Sequence, residues 1–75
     1  MGRVEIMEIK APMGGKVIKI SVSVGDKIAE DDEVAVLEAM KMEMPILSEE
    51  DGTVAEVKVT AGQTVEAEQV LCVLN

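Results

Sequence analysis

Short alternating runs, rather than helical stripes, organise this 75-residue chain. Ile18, Ile20, Val22 and Val24 alternate with Lys19, Ser21 and Ser23, the period of a half-buried strand. Ala55, Val57, Val59 and Ala61 alternate in the same way with Glu56, Lys58 and Thr60. Gly25-Asp26 and Gly62-Gln63 end both runs as turns, because glycine takes positive φ at little steric cost. The nearly continuous apolar runs from Glu33 to Leu37 and from Val70 to Leu74 predict strands covered on both faces. Acidic stretches, Glu30-Asp31-Asp32 and Glu49-Glu50-Asp51, separate the strands. No window of 11 residues carries a helical period.

The two alternating runs belong to an internal repeat with an offset of 37 residues. Residues 9–38 align with residues 46–75 without a gap. Ile9 meets Ile46, Gly15 meets Gly52, Val17 meets Val54, Val22 meets Val59 and Gly25 meets Gly62. Val36/Val73 and Leu37/Leu74 complete the identities, and Ile20/Val57, Ile28/Val65 and Val34/Leu71 are conservative. The expectation is a single all-β domain over residues 1–75, a flattened eight-stranded barrel of two facing sheets. Its halves, 9–38 and 46–75, carry four short strands each, are related by a pseudo-twofold, and bury their apolar faces against one another. Turn signals every 8–12 residues fit a sandwich or barrel.

Composition narrows the chemistry. The chain lacks Phe, Trp and Tyr, so Val, Ile, Leu, Met and Ala must build the core. Fifteen acidic against seven basic residues give a net charge of −8. With no basic run and no aromatic ring to stack bases, nucleic acid is not an expected partner. No apolar stretch approaches the roughly 20 residues that span a bilayer, so direct membrane insertion is not expected. The opening Met1-Gly2-Arg3-Val4-Glu5-Ile6 lacks a signal-peptide apolar run and has Ile6 where a myristoylation pattern needs Ser or Thr. Cys72 is alone and His is absent, which removes an internal disulfide and a Cys/His metal site. These features predict a soluble domain of a reducing compartment, placed in the cytoplasm. Ser21, Ser23 and Ser48 have no activating base, so the chain is not expected to be an enzyme by itself.

Seven residues lie between the repeats: Ala39-Met40-Lys41-Met42-Glu43-Met44-Pro45. They should connect the halves through a hairpin near Met40 and Lys41. A lysine on an exposed tight turn is a good substrate for another protein, because its amine is reachable and its backbone is fixed. Spacing alone leaves a second reading open, a solvated lysine beside methionines that fill the core.

Glu38-Ala39-Met40-Lys41-Met42-Glu43 resembles the attachment motif of the biotin carboxyl carrier (biotinyl) family, part of the biotin/lipoyl attachment group. Ala11-Pro12-Met13-Gly14-Gly15 resembles that family's small-Pro-Met-Pro-Gly turn, with Gly14 where Pro is common. The resemblance runs from about Ile6 to Leu74 and implies the same flattened eight-stranded barrel. It implies that Lys41 carries biotin in amide linkage, with Met40 and Met42 as the flanking residues that biotin protein ligase tolerates and that assist carboxyl transfer. Glu38 matches the acidic residue before Ala-Met-Lys, and Ala39 keeps the turn small. It further implies a non-catalytic carrier whose partners are biotin protein ligase, a biotin carboxylase and a carboxyltransferase or decarboxylase. The biotin ring accepts CO2 at the carboxylase, which consumes ATP and bicarbonate, and gives it up at the transferase to an acyl-CoA or 2-oxo acid. Biotinylation would take the net charge from −8 to −9.

The ungapped offset leaves no room for the protruding thumb that some acetyl-CoA carboxylase carriers insert in the first half. That tilts the expectation toward carriers of propionyl-CoA, pyruvate, or oxaloacetate and acyl-CoA decarboxylase systems. Two rivals stand beside this reading. A lipoyl domain shares the barrel, but its turn reads Asp-Lys-Ala where this one reads Met-Lys-Met. An unmodified interaction barrel could dock partners through Asp31-Asp32 and Glu49-Asp51, although such charges more simply keep a small protein soluble. Cys72, whose repeat mate is Ala35, is expected to be buried rather than a reactive thiol. Met7 and Met13 are expected to close the barrel.

Overall fold

A computed structural model describes residues 6–75 and shows eight strands among them, with no helix. The strands are β1 (Met7–Lys10), β2 (Gly15–Ile20), β3 (Lys27–Ile28), β4 (Glu33–Ala39), β5 (Met42–Leu47), β6 (Gly52–Val57), β7 (Thr64–Val65) and β8 (Val70–Leu74). The reading of Met1 to Glu5 as free of targeting signals lies outside the described residues. No helix among the described residues is long and apolar enough to cross a membrane.

Two four-stranded antiparallel sheets form, ordered β1-β8-β6-β3 and β5-β4-β2-β7. The sheets are not the sequence halves. Each takes two strands from either half, so the expectation that one half packs as a unit against the other is corrected. Within a half only the central pair bonds, β2 with β4 and β6 with β8. The outer strands cross over: β1 pairs with β8, β3 with β6, β5 with β4 and β7 with β2. Exchange gives each outer strand's N–H and C=O groups a ladder partner, which backbone buried from water requires.

The pseudo-twofold is carried into the backbone hydrogen bonds. Gly25 N–H donates to Val54 O at 2.8 Å, and Gly62 N–H donates to Val17 O at 2.6 Å. Asp31 N–H reaches Ser48 O at 2.7 Å, as Glu68 N–H reaches Ala11 O at 2.8 Å. Asp31 and Glu68 take matching positive φ values of 74° and 72°. Apart from Val73, the core consists of repeat mates: Ile9/Ile46, Val17/Val54, Val22/Val59, Ile28/Val65, Val34/Leu71, Ala35/Cys72 and Leu37/Leu74, with Ala11 the mate of the buried Ser48. The Ser48 hydroxyl donates to Glu50 O at 2.5 Å, which satisfies it without a partner in the other half.

Two details of the strand reading change. Val17 is fully buried while Ile18 is 36% exposed and Val24 64% exposed, so the alternation through Ile18, Ile20, Val22 and Val24 is out of phase at both ends. A bulge between Val17 and Lys19, with its mate between Val54 and Glu56, turns Ile18 outward, whereas Val24 lies beyond the end of β2 in the turn with Gly25. One extra residue in a strand flips every later side chain to the other face. Met7 packs against the core as expected, but Met13 is 39% exposed in the turn before β2 and closes nothing. Cys72 is buried, and burial pushes its thiol pKa up, which makes it a core residue rather than a nucleophile.

Candidate functional site

The β4–β5 hairpin builds the site. Its last rung pairs Ala39 with Met42, so the connection is the two-residue turn Met40-Lys41. Both turn residues have positive φ, 53° and 64°, the type I′ geometry whose twist matches the strands it joins. Side chains other than Gly and Asn pay for that conformation, on the order of 1 kcal/mol each. Six paired rungs from Glu33↔Leu47 to Ala39↔Met42 hold the strained tip in place. Local strain of this kind, sustained by its surroundings, is a mark of functional positions.

At the tip, Met40 is 86% exposed and Met42 66% exposed, with Lys41 exposed between them. Ala39 is half-buried under the turn. Glu38 lies one rung back, opposite Glu43 on β5 and Lys16 on β2. The five residues singled out by sequence therefore form one continuous feature, three at the tip and two in the strand that supports it. The two ion pairs among the described residues, Lys19–Glu33 at 3.6 Å and Lys58–Glu56 at 3.1 Å, leave Lys41 out.

Sequence reasoning aligned Gly15 with Gly52 but missed why both are glycine. A Cβ on Gly15 would lie 2.5 Å from Glu38 O, and one on Gly52 would lie 3.1 Å from Asn75 O. β2 thus packs directly on the backbone that carries the lysine hairpin. Sequence reasoning also missed two neighbours of the hairpin. Gly15 pairs with Val65, which brings the turn 12–14 and the loop 66–69 to the lysine end of the barrel.

Of the six lysines, all exposed, Lys41 alone stands at the apex of a tight turn, with its amine presented between two exposed methionines. A cleft of about 550 Å3 lies instead along the seam of β1 and β5, with Ile9, Lys10, Ile46, Leu47, Ser48 and Leu74 among its lining. None of residues 39–42 lines it. A group joined to Lys41 by an amide meets no wall and extends into solvent, so the residues present fit a covalently attached arm.

Comparison with known proteins agrees with that fit. Residues 7–74 match a family described as "Biotin-requiring enzyme". The biotin carboxyl carrier protein of Streptococcus mutans is 47% identical over 57 residues, 76% of this chain and 44% of that protein. Mitochondrial pyruvate carboxylase of Mus musculus is 45% identical over 64 residues, 85% of this chain and 5% of that protein. The chain therefore spans less than half the length of either relative. The crystal structure of Kluyveromyces lactis urea carboxylase superposes on all of this chain and 7% of that one, at 27% identity and a TM-score of 0.89. The chain belongs to the biotin-requiring enzyme family, as a non-catalytic biotin carrier domain of the biotin carboxyl carrier type.

Proposed function

We propose that Lys41 is the residue to which biotin is attached and that this chain carries a carboxyl group between two active sites of a biotin-dependent enzyme. The observation that carries the reading is the exposed lysine held at the apex of a two-residue turn by a hairpin of six paired rungs. Biotin supplies a ring nitrogen that accepts and releases CO2. Everything else asked of the chain is presentation. The turn fixes where the arm starts, the paired strands keep the domain from yielding, and tethering raises the effective concentration of the carried group at each site. Exposed Met40 and Met42 offer polarizable, adaptable contact to more than one partner surface.

On this reading the partners are biotin protein ligase, a biotin carboxylase and a carboxyltransferase or decarboxylase. The strong negative charge supports protein partners over nucleic acid, and an unpaired thiol supports a reducing, cytoplasmic setting. The connections 21–26 and 58–63 are equal in length, so β2–β3 and β6–β7 carry no insertion. That supports a propionyl-CoA, pyruvate or decarboxylase system as the destination of the carboxyl group.

The carrier role is tested by incubating the biotinylated chain with a biotin carboxylase, ATP and labelled bicarbonate. Acid-labile label on the chain, absent from a Lys41→Arg chain, is the expected result. Label on free biotin but none on the biotinylated chain would overturn the carrier role.

A further inference from the structure

The two ends of the barrel have the same backbone and different chemistry. At the end away from Lys41, segments 29–32 and 49–51 are bound together: Glu30 N–H donates to Asp51 Oδ1 at 2.9 Å and Asp31 N–H to Ser48 O at 2.7 Å. Their repeat mates at the lysine end, 66–69 and 12–14, repeat that scaffold. Ala11 N–H donates to Gln69 O at 2.9 Å, as Ser48 N–H does to Asp32 O at 2.8 Å. The far end carries six acids, Glu30, Asp31, Asp32, Glu49, Glu50 and Asp51, whereas the mates carry two, Glu66 and Glu68. In particular Glu49-Glu50-Asp51 is replaced by Pro12-Met13-Gly14.

Folding accounts for only part of this difference: Asp51 and Asp32 accept Glu30 N–H and Ala29 N–H, whereas the same backbone carries Pro12 and Met13 where the far end has Glu49 and Glu50. Solubility does not account for the rest, since a charged surface is favoured everywhere on a small apolar protein. An exposed apolar turn where the fold tolerates three acids is a feature of what that turn meets. The turn also has a fixed place. Lys16 pairs with Glu38 and Val17 with Leu37, so β2 starts beside the last rungs of β4 and the turn 12–14 leads into it at the lysine end of the barrel.

We infer that Met13, with Met40 and Met42, forms one apolar contact face that biotin protein ligase covers when it modifies Lys41, making Met13 a docking residue for that enzyme. The inference rests on Lys41 being the attachment residue. Desolvation is the mechanism of discrimination: a methionine is covered without penalty, whereas a carboxylate at position 13 would lose its water with no partner supplied. Met13 touches no reacting atom, so its effect belongs in KM.

The test compares steady-state biotinylation of the wild-type chain with Met13→Glu, Met13→Ala and Met13→Leu chains. Glu50→Met at the far end serves as the control. Met13→Glu installs what the repeat mate already carries, so its thermal midpoint should stay near that of the wild type. Its kcat/KM should fall roughly tenfold through KM, the scale of one interface residue of consequence. Met13→Ala should fall less, while Met13→Leu and Glu50→Met should match the wild type. Wild-type kinetics in a folded Met13→Glu chain, or an equal loss in Glu50→Met, would overturn the docking face while leaving Lys41 as the acceptor. A wild-type chain that is not modified at Lys41 would overturn the attachment reading and this inference with it.

Discussion

A Cβ added at Gly15 would stand 2.5 Å from the carbonyl oxygen of Glu38, three residues before the lysine that the hairpin presents. The neighbouring Gly14 has more room, since its nearest neighbour would be Val65 O at 3.4 Å. Gly15→Ala must therefore push β2 off β4, at a cost of about 1–3 kcal/mol. Gly14→Ala should be neutral, or stabilising by about 0.5 kcal/mol through the unfolded chain. Urea unfolding of the two variants checks this, and equal midpoints would contradict it.

The turn at Met40-Lys41 sets stability against use. Asparagine takes positive φ more readily than methionine, so Met40→Asn should stabilise the hairpin by about 0.5–1 kcal/mol. The same change removes an exposed apolar contact beside Lys41. Thermal melting should rise while the ligase kcat/KM falls. A variant that is both more stable and modified at the wild-type rate would show that Met40 does nothing for recognition.

The two halves close the same loop with different chemistry. Asp32 Oδ2 accepts from Ala29 N–H at 2.8 Å, and Gln69 Oε1 accepts from Glu66 N–H at 3.0 Å. Asp32→Ala should cost about 0.5–1.5 kcal/mol, the net value of one such bond. Asp32→Gln should recover most of it, because the repeat mate shows that an amide oxygen serves. Chemical denaturation of the three chains decides the matter.

Cys72 gives the fold a pH dependence on the alkaline side. Burial raises its pKa above the ordinary value of 9.0, so the folded chain keeps a proton that the unfolded chain gives up. Bound protons then number fewer in the unfolded state, and stability falls as pH rises past 9.0. Below that value the thiol is protonated in both states and adds no slope. Cys72→Ala, which copies its repeat mate Ala35, should flatten this alkaline decline. Thiol labelling of the folded wild-type chain should be slow and should become fast in denaturant.

Much of this architecture was legible in the residues. Matching Ile9/Ile46, Val17/Val54 and Leu37/Leu74 exposed the repeat, and those pairs are core pairs. Met40-Lys41 was legible as the turn because it falls in the stretch that the repeat leaves unpaired. What stayed hidden was partnership. Alternation says that a segment is a strand but not which strand it bonds, so the exchange of β1 and β3 for β5 and β7 left no trace. The bulge at Ile18 was hidden because apolar residues occupy both phases there, Val17 inward and Ile18 outward. The role of Gly15 depends on backbone approaching from 23 residues away, which local pattern does not encode.

Carriage of a carboxyl group by this chain requires that Lys41 accept biotin. Intact mass of the chain after incubation with biotin protein ligase, ATP and biotin, beside a Lys41→Arg chain, tests it most directly. A gain of one biotinyl group in the wild type and none in Lys41→Arg is the expected result. An equal gain in both chains would place the attachment on another of the six lysines. No gain in a folded wild-type chain, or a gain only with a lipoyl ligase and lipoate, would contradict the account.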